Sequence, residues 1–182
     1  HPVSIKGLPR FYGGAVGYLS YDVAHQLDEI PEREKSRLDQ LPFVFLLTDM
    51  VLIFDNVAKT IKVVSCVHTT GKDLSHAYSA ALERIAAMVD RLRKSRPDDS
   101  PQPRSPKCVT FQSNLSQGDF EKMVLATKEY ICAGDIVQAV LSQRWETEIT
   151  ATPFNIYRAL RLTNPSPYLY YLRIDDMALI GS

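Results

Sequence analysis

The spacing of apolar positions changes character twice along the 182 residues. Up to Val67 it favours strands. "RFYGGAVGYLSYD", from Arg10 to Asp22, mixes small and aromatic residues around β-branched Val16, which predicts a strand weakened by Gly13, Gly14 and Gly17. Glycines in a strand mark a bend, or a place where another backbone or a ligand comes close. "LPFVFLLTDMVLIFD" (Leu41–Asp55) and "KTIKVVSCV" (Lys59–Val67) predict further strands, with "DNVAK" turning between the last two. The nearly unbroken apolar run from Leu41 predicts burial on both faces. From Lys72 the period lengthens. Leu74, Tyr78, Ala81, Leu82, Ile85, Met88, Val89 and Leu92 recur at helical spacing and predict one long amphipathic helix.

The second change follows "RPDDSPQPRSPK", a stretch with four prolines and no periodic apolar residues, which predicts an exposed, extended linker over 97–108. It separates a strand-rich region ending in a long helix, 1–96, from a second region, 109–182. In the latter, Ser116 and Asp119 form an approximate capping box ahead of Phe120, Met123, Val124, Thr127 and Ile131, and Gly134 is placed to end that helix. "DIVQAVLSQRWETEIT" alternates with a period of two, predicting a strand with Val137, Ala139, Leu141 and Trp145 on one face. Gln138, Ser142 and Arg144 fall on the other. Thr152 and Pro153 open a helix with the stripe Phe154, Tyr157 and Leu160, and "YLYYLRIDDMALIGS" reads as a hairpin around Asp175 and Asp176. The order is strands, helix, linker, helix, strand, helix, hairpin. That pattern predicts an α+β fold with mostly antiparallel sheets packed with helices.

Composition narrows the function classes. With 21 basic and 21 acidic residues the formal net charge is zero, so no summed field draws the chain to nucleic acid or to an anionic membrane. The basic cluster "RLRKSR" (Arg91–Arg96) suits the last turn of a helix, where cations oppose the dipole. Cys66, Cys108 and Cys132 show no CxxC spacing, which fits a reducing cytosol. The longest apolar stretch is interrupted by Thr48 and Asp49, too early for a membrane span. The chain begins with His1, lacks a signal peptide, and reads as a piece of a longer protein.

Few familiar chemistries survive inspection. "GGAVG" lacks the Gly-Lys-Ser/Thr ending of a phosphate loop, the four histidines form no HExxH pair, and no serine sits in a G-x-S-x-G elbow. No metal site and no complete catalytic set is visible. Two features remain open in meaning. Gln138, Ser142 and Arg144 either line a ligand pocket, with Arg144 offering a fork to a carboxylate, or form a solvated face. "NPSPY" (Asn164–Tyr168), with backbone restricted by its prolines, is either a rigid ligand-facing lip or a plain helix-to-strand connector.

Three stretches taken together resemble one family. "GGAVGYLSYD", "GDIVQAVLSQRW" and "PFNIYRALRLTNPSPYLYYL" are similar, in order and spacing, to the large subunit of anthranilate synthase, component I. The resemblance implies a partial anthranilate-synthase-like fold, with residues 109–182 the truncated start of the chorismate-binding domain. It implies a cytoplasmic lyase of tryptophan biosynthesis. Such an enzyme converts chorismate and ammonia to anthranilate and pyruvate with Mg²⁺, and a glutamine amidotransferase subunit (component II) delivers the ammonia. The family's magnesium ligands and catalytic residues lie beyond Ser182, so the resemblance assigns no catalytic or metal-binding position here and predicts an inactive fragment. It does carry over part of a feedback site for L-tryptophan: Pro167, Tyr168 and Leu169 as contacts, supported by Asn164, Pro165 and Ser166. Leu169 stands where the family often has methionine, a swap that nearly conserves volume. Two alternatives stay open: aminodeoxychorismate synthase component I of folate synthesis, and a non-catalytic amino-acid-binding regulatory module.

Overall fold

A computed structural model describes residues 3–30, 41–70, 73–94 and 109–182. The chain divides into two compact units, His1–Asp98 and Asp99–Ser182. The 97–108 segment expected as a linker lies outside the described residues.

In the first unit β1 (Gly14–Leu19) pairs antiparallel with β2 (Phe43–Thr48), and a 3-10 turn over Tyr21–Gln26 follows β1. Gly17 faces Phe45 in that register, and a Cβ there would run into the Val44 carbonyl. Its lack of a side chain therefore lets the two backbones meet, one of the two uses expected of a strand glycine. After Asp49 the chain continues as β3 (Met50–Asp55), which leaves β1 and pairs with β4 (Thr60–Ser65). The β3–β4 turn is built by Asp55. Its Oδ1 accepts from the Val57 and Ala58 amides at 3.2 and 2.9 Å, and Lys59 takes a left-handed φ of 54°.

Helix α1 (Leu74–Lys94) packs against β4. Ala77, Ala80, Ile85, Met88 and Val89 are half-buried around buried Ala81. Leu74, Tyr78, Leu82 and Leu92 of the predicted stripe are instead exposed, so the apolar face is wider than the surface β4 covers. The expected burial of both faces of the first apolar run is likewise not found. Phe43, Phe45 and Leu47 share one face of β2 by strand alternation, and all three are exposed, Leu47 at 85%. The reason is topological: β1–β2 and β3–β4 are separate two-stranded ribbons, and no described layer covers that face.

In the second unit the short strand β5 (Gln112–Ser113) precedes α2 (Gln117–Ala133). Ser116 Oγ accepts from the Asp119 amide at 3.1 Å and donates to Asp119 Oδ2 at 2.7 Å, and Gly134 closes the helix in the left-handed region at φ 86°. The long strand expected over 135–150 is not present. Residues 137–144 run without regular structure, and only Trp145–Glu146 (β6) pairs with Gln112–Ser113 (β5). Alternation describes a chain that can be a strand; a ladder also needs a partner, and among the described residues one exists for two residues only. Helix α3 (Pro153–Thr163) then leads through residues 164–169 into the hairpin β7 (Tyr170–Ile174) and β8 (Met177–Gly181). Asp175, at φ 48°, makes the two-residue turn, as its place between the two runs predicted.

Candidate functional site

The segment with the most distinctive sequence, Asn164–Leu169, is a corner between α3 and β7. Its position is set from below by three rings. Phe154 stacks on Tyr157 at 6.1 Å between centroids, meets Tyr171 edge-on at 5.5 Å, and Tyr157 lies 5.9 Å from Tyr171. Two of these rings come from α3 and one from β7, so the elements flanking the corner are pinned to one another. At the first residue of β7, beside the corner, register places Tyr170 opposite Gly181. The Tyr170 ring occupies the space a Cβ at 181 would need.

Hydrogen bonds set the helix before the corner and most of the corner itself, while Pro165 is exposed. Thr152 caps α3, accepting from the Asn155 amide at 3.4 Å, and Pro153 occupies the first turn. The last turn ends when the Asn164 amide donates to Leu160 O at 2.8 Å, with Asn164 leaving the helix at φ −138° and ψ 72°. Ser166 then heads a tight turn. Its Oγ accepts from the Tyr168 amide at 3.1 Å and its carbonyl from the Leu169 amide at 3.4 Å, with Pro167 at the second turn position where its fixed φ fits. Ser166 and Leu169 are half-buried, Pro167 is exposed, and Tyr168 is 82% exposed. The corner presents a proline and a tyrosine outward from a turn whose amides are already occupied.

The other candidate group is not assembled as a strand face. Gln138 and Ser142 are exposed on an irregular segment, and Arg144 is half-buried. Arg144 is held where the backbone turns toward β6. Its amide donates to Asn114 Oδ1 at 2.9 Å, its carbonyl accepts from the Asn114 amide at 3.1 Å, and its Nε lies 2.9 Å from Glu146 Oε1, outside hydrogen-bond alignment. Gln143, which the alternation placed on the opposite side, is the residue that reaches across, donating to Ser113 Oγ at 2.6 Å. The guanidinium fork of Arg144 is thus partly engaged by a neighbouring carboxylate.

Two open clefts occur elsewhere. One of about 460 Å³ lies beside the start of α1, lined by Asp73, His76 and Arg84 among others. The other, of about 970 Å³, follows the β5–β6 ribbon, where Phe111, Ile149 and Ile156 give it an apolar floor and Glu146 and Glu148 an acidic rim. Neither is lined by residues 164–169, nor by Gln138, Ser142 or Arg144. Among the described residues no three His, Cys, Asp or Glu side chains gather as a metal-holding group, so these residues do not fit a magnesium site. No helix among them is long and apolar enough to cross a membrane. Cys66 and Cys132 are free thiols, and Cys108 lies outside the described residues.

Two constraints escaped the sequence reading. Arg84 ties α1 to the strands, donating to Asp49 Oδ2 at 3.3 Å, Ser65 Oγ at 2.9 Å and Cys66 O at 3.4 Å. A charged residue three positions after Ala81, on the packed face, was the available signal. The second is Ser182, which meets Asn164 across the hairpin; nothing local in the sequence announces it.

The profile of the chorismate binding enzyme family matches residues 2–182. Anthranilate synthase component 1 of Acetivibrio thermocellus is 39% identical over 98% of this chain and 37% of its own length. The Saccharomyces cerevisiae protein of the same name is 37% identical over 98% of this chain and 36% of its own. The crystal structure of anthranilate synthase component I from Streptococcus pneumoniae superposes over 100% of this chain and 40% of that one, with a TM-score of 0.80 at 28% identity. The α+β architecture is therefore shared with a solved member, and the chain spans little more than a third of these relatives' length. It belongs to the chorismate-binding enzyme family.

Proposed function

From its membership of that family, we propose that this chain forms part of an anthranilate synthase component I, a cytoplasmic lyase. That enzyme takes chorismate, with ammonia passed from glutamine by an amidotransferase partner, to anthranilate and pyruvate in tryptophan biosynthesis. The observation that carries this reading is similarity to proteins of that name along nearly all of the chain, at 39% identity to the Acetivibrio thermocellus protein. The described residues supply positioning and regulation; magnesium, the Lewis acid such a reaction uses on a substrate oxygen, is held by other residues of the enzyme.

The corner is the effector site in this reading. L-Tryptophan rests its indole against Pro167 and Tyr168, two rigid, largely apolar surfaces that lose little entropy on binding, with Leu169 closing the inner side. A ligand that prefers one arrangement of the corner shifts the enzyme toward that arrangement, and by linkage toward the matching state of the chorismate site.

Product analysis on the intact protein carrying residues 1–182 tests the chemistry. Chorismate with an ammonium salt and Mg²⁺ gives fluorescent anthranilate and one pyruvate. A product that retains the enolpyruvyl group would make it an aminodeoxychorismate synthase instead. For the effector site, Tyr168→Ala raises the tryptophan concentration for half inhibition at least tenfold, read as the ratio of inhibited to uninhibited rate within each variant; an unchanged ratio removes Tyr168 from the site.

A further inference from the structure

The corner is held at two points. Its own turn closes through Ser166, whereas its first residue is held from outside. Asn164 Nδ2 donates to Ser182 Oγ at 3.0 Å, and the same hydroxyl donates to Asn164 O at 3.3 Å. One side-chain oxygen thus accepts from the side chain and donates to the main chain of a single residue, constraining both the amide rotamer and the carbonyl direction at the corner's entrance. Ser182 follows β8 directly, and the strand that delivers it is locked in register. Gly181 sits opposite Tyr170 beneath its ring, in space that a side chain at 181 could take only if the ring swung aside.

We propose that Ser182 is a positioning residue for the amino-acid effector site. It clasps Asn164 so that Pro167–Leu169 keep a ligand-ready shape, and it makes movement of the corner and movement of the end of β8 one event. The proposal rests on the effector reading above and adds the route by which occupancy of the corner reaches the rest of the sheet. Opening the clasp releases both the side-chain amide and the carbonyl of Asn164. A ligand that binds only the closed form draws the end of β8 with it, and anything that displaces that end weakens the ligand equally. An alanine at 182 lacks both interactions, while threonine keeps the hydroxyl.

The test compares the intact enzyme with its Ser182→Ala and Ser182→Thr variants by two readouts. One is the L-tryptophan concentration for half inhibition; the other is hydrogen exchange at the Tyr168 and Leu169 amides without ligand. Ser182→Ala is expected to raise the half-inhibiting concentration about fivefold, corresponding to about 1 kcal/mol for a neutral hydrogen bond, and to speed exchange, with Ser182→Thr restoring both. Faster exchange with unchanged inhibition would reduce Ser182 to a structural tie and overturn its regulatory role. No change in either readout would overturn the clasp altogether. An unsubstituted enzyme indifferent to tryptophan would overturn the effector reading itself, and exchange would still report whether Ser182 orders the corner.

Discussion

Asp55 shows how far one side chain can organise a turn. Hydrogen bonds from the backbone, the Ala58 amide foremost, and then from Lys62 at 3.0 Å hold its carboxyl below the ordinary carboxylate value of 3.8. A carboxylate whose folded pKa is depressed contributes stability above its unfolded pKa and loses it as pH falls through the folded one. The β3–β4 turn should therefore weaken from about pH 4 downward. In Asp55→Asn, which keeps an acceptor for the turn amides and loses the charge, thermal melts taken across that range should decline less steeply than wild type. Equal slopes would assign the acid loss to other carboxylates. Gly17 makes the opposite point, since its importance lies in what it lacks. Gly17→Ala drives a methyl into the Val44 carbonyl and should cost about 1–3 kcal/mol, seen as a lower denaturant midpoint. That this glycine mattered was readable in the sequence; that its neighbour would be the β2 backbone was not.

Among the elements, helix ends were the most legible features, because a cap is a local transaction. Ser116, Thr152 and Gly134 each do what their side chain, or its absence, does within a few residues of the same backbone. Strands are not local. The alternation over 135–150 was real, yet among the described residues the ladder exists only for Trp145 and Glu146, opposite Gln112 and Ser113. Arg84 belongs at this scale too, since it joins a helix to the place where one strand leaves β1 for β4. Its ion pair with Asp49 is about half exposed, at 43% and 62% of the side chains, so the pair is screened and worth little alone. Together with the bonds to Ser65 and Cys66, its loss in Arg84→Met should cost about 1 kcal/mol and lower the melting temperature of a unit this size by about 4–8 °C. A melt unmoved by the substitution would show that α1 docks through its apolar face alone.

At the scale of the whole chain the exposed apolar surface dominates. Leu19, Phe43, Phe45 and Leu47 lie on one face of the β1–β2 ribbon by register, and all are exposed. Such a patch, beside strand edges with unpaired amides, favours self-association. Residues 1–182 produced alone should bind a hydrophobic dye and sediment as concentration-dependent assemblies, and a Phe45→Lys, Leu47→Lys double variant should reduce both. A chain that melts cooperatively as a monomer without binding the dye would contradict this.

What the sequence determined by itself is the set of choices settled within a turn or two of backbone: helix caps, the Asp55 and Asp175 turns, the periodicity of α1 and α3, and the stiffness of the proline corner. Its three family stretches, in register, also sufficed to place it among chorismate-binding enzymes. Tertiary structure alone decided which apolar faces meet a partner, where alternation becomes a ladder, and that Ser182 returns to Asn164. Those outcomes depend on contacts between residues far apart in the chain, whose closure entropy and geometry leave no trace in the spacing of neighbours.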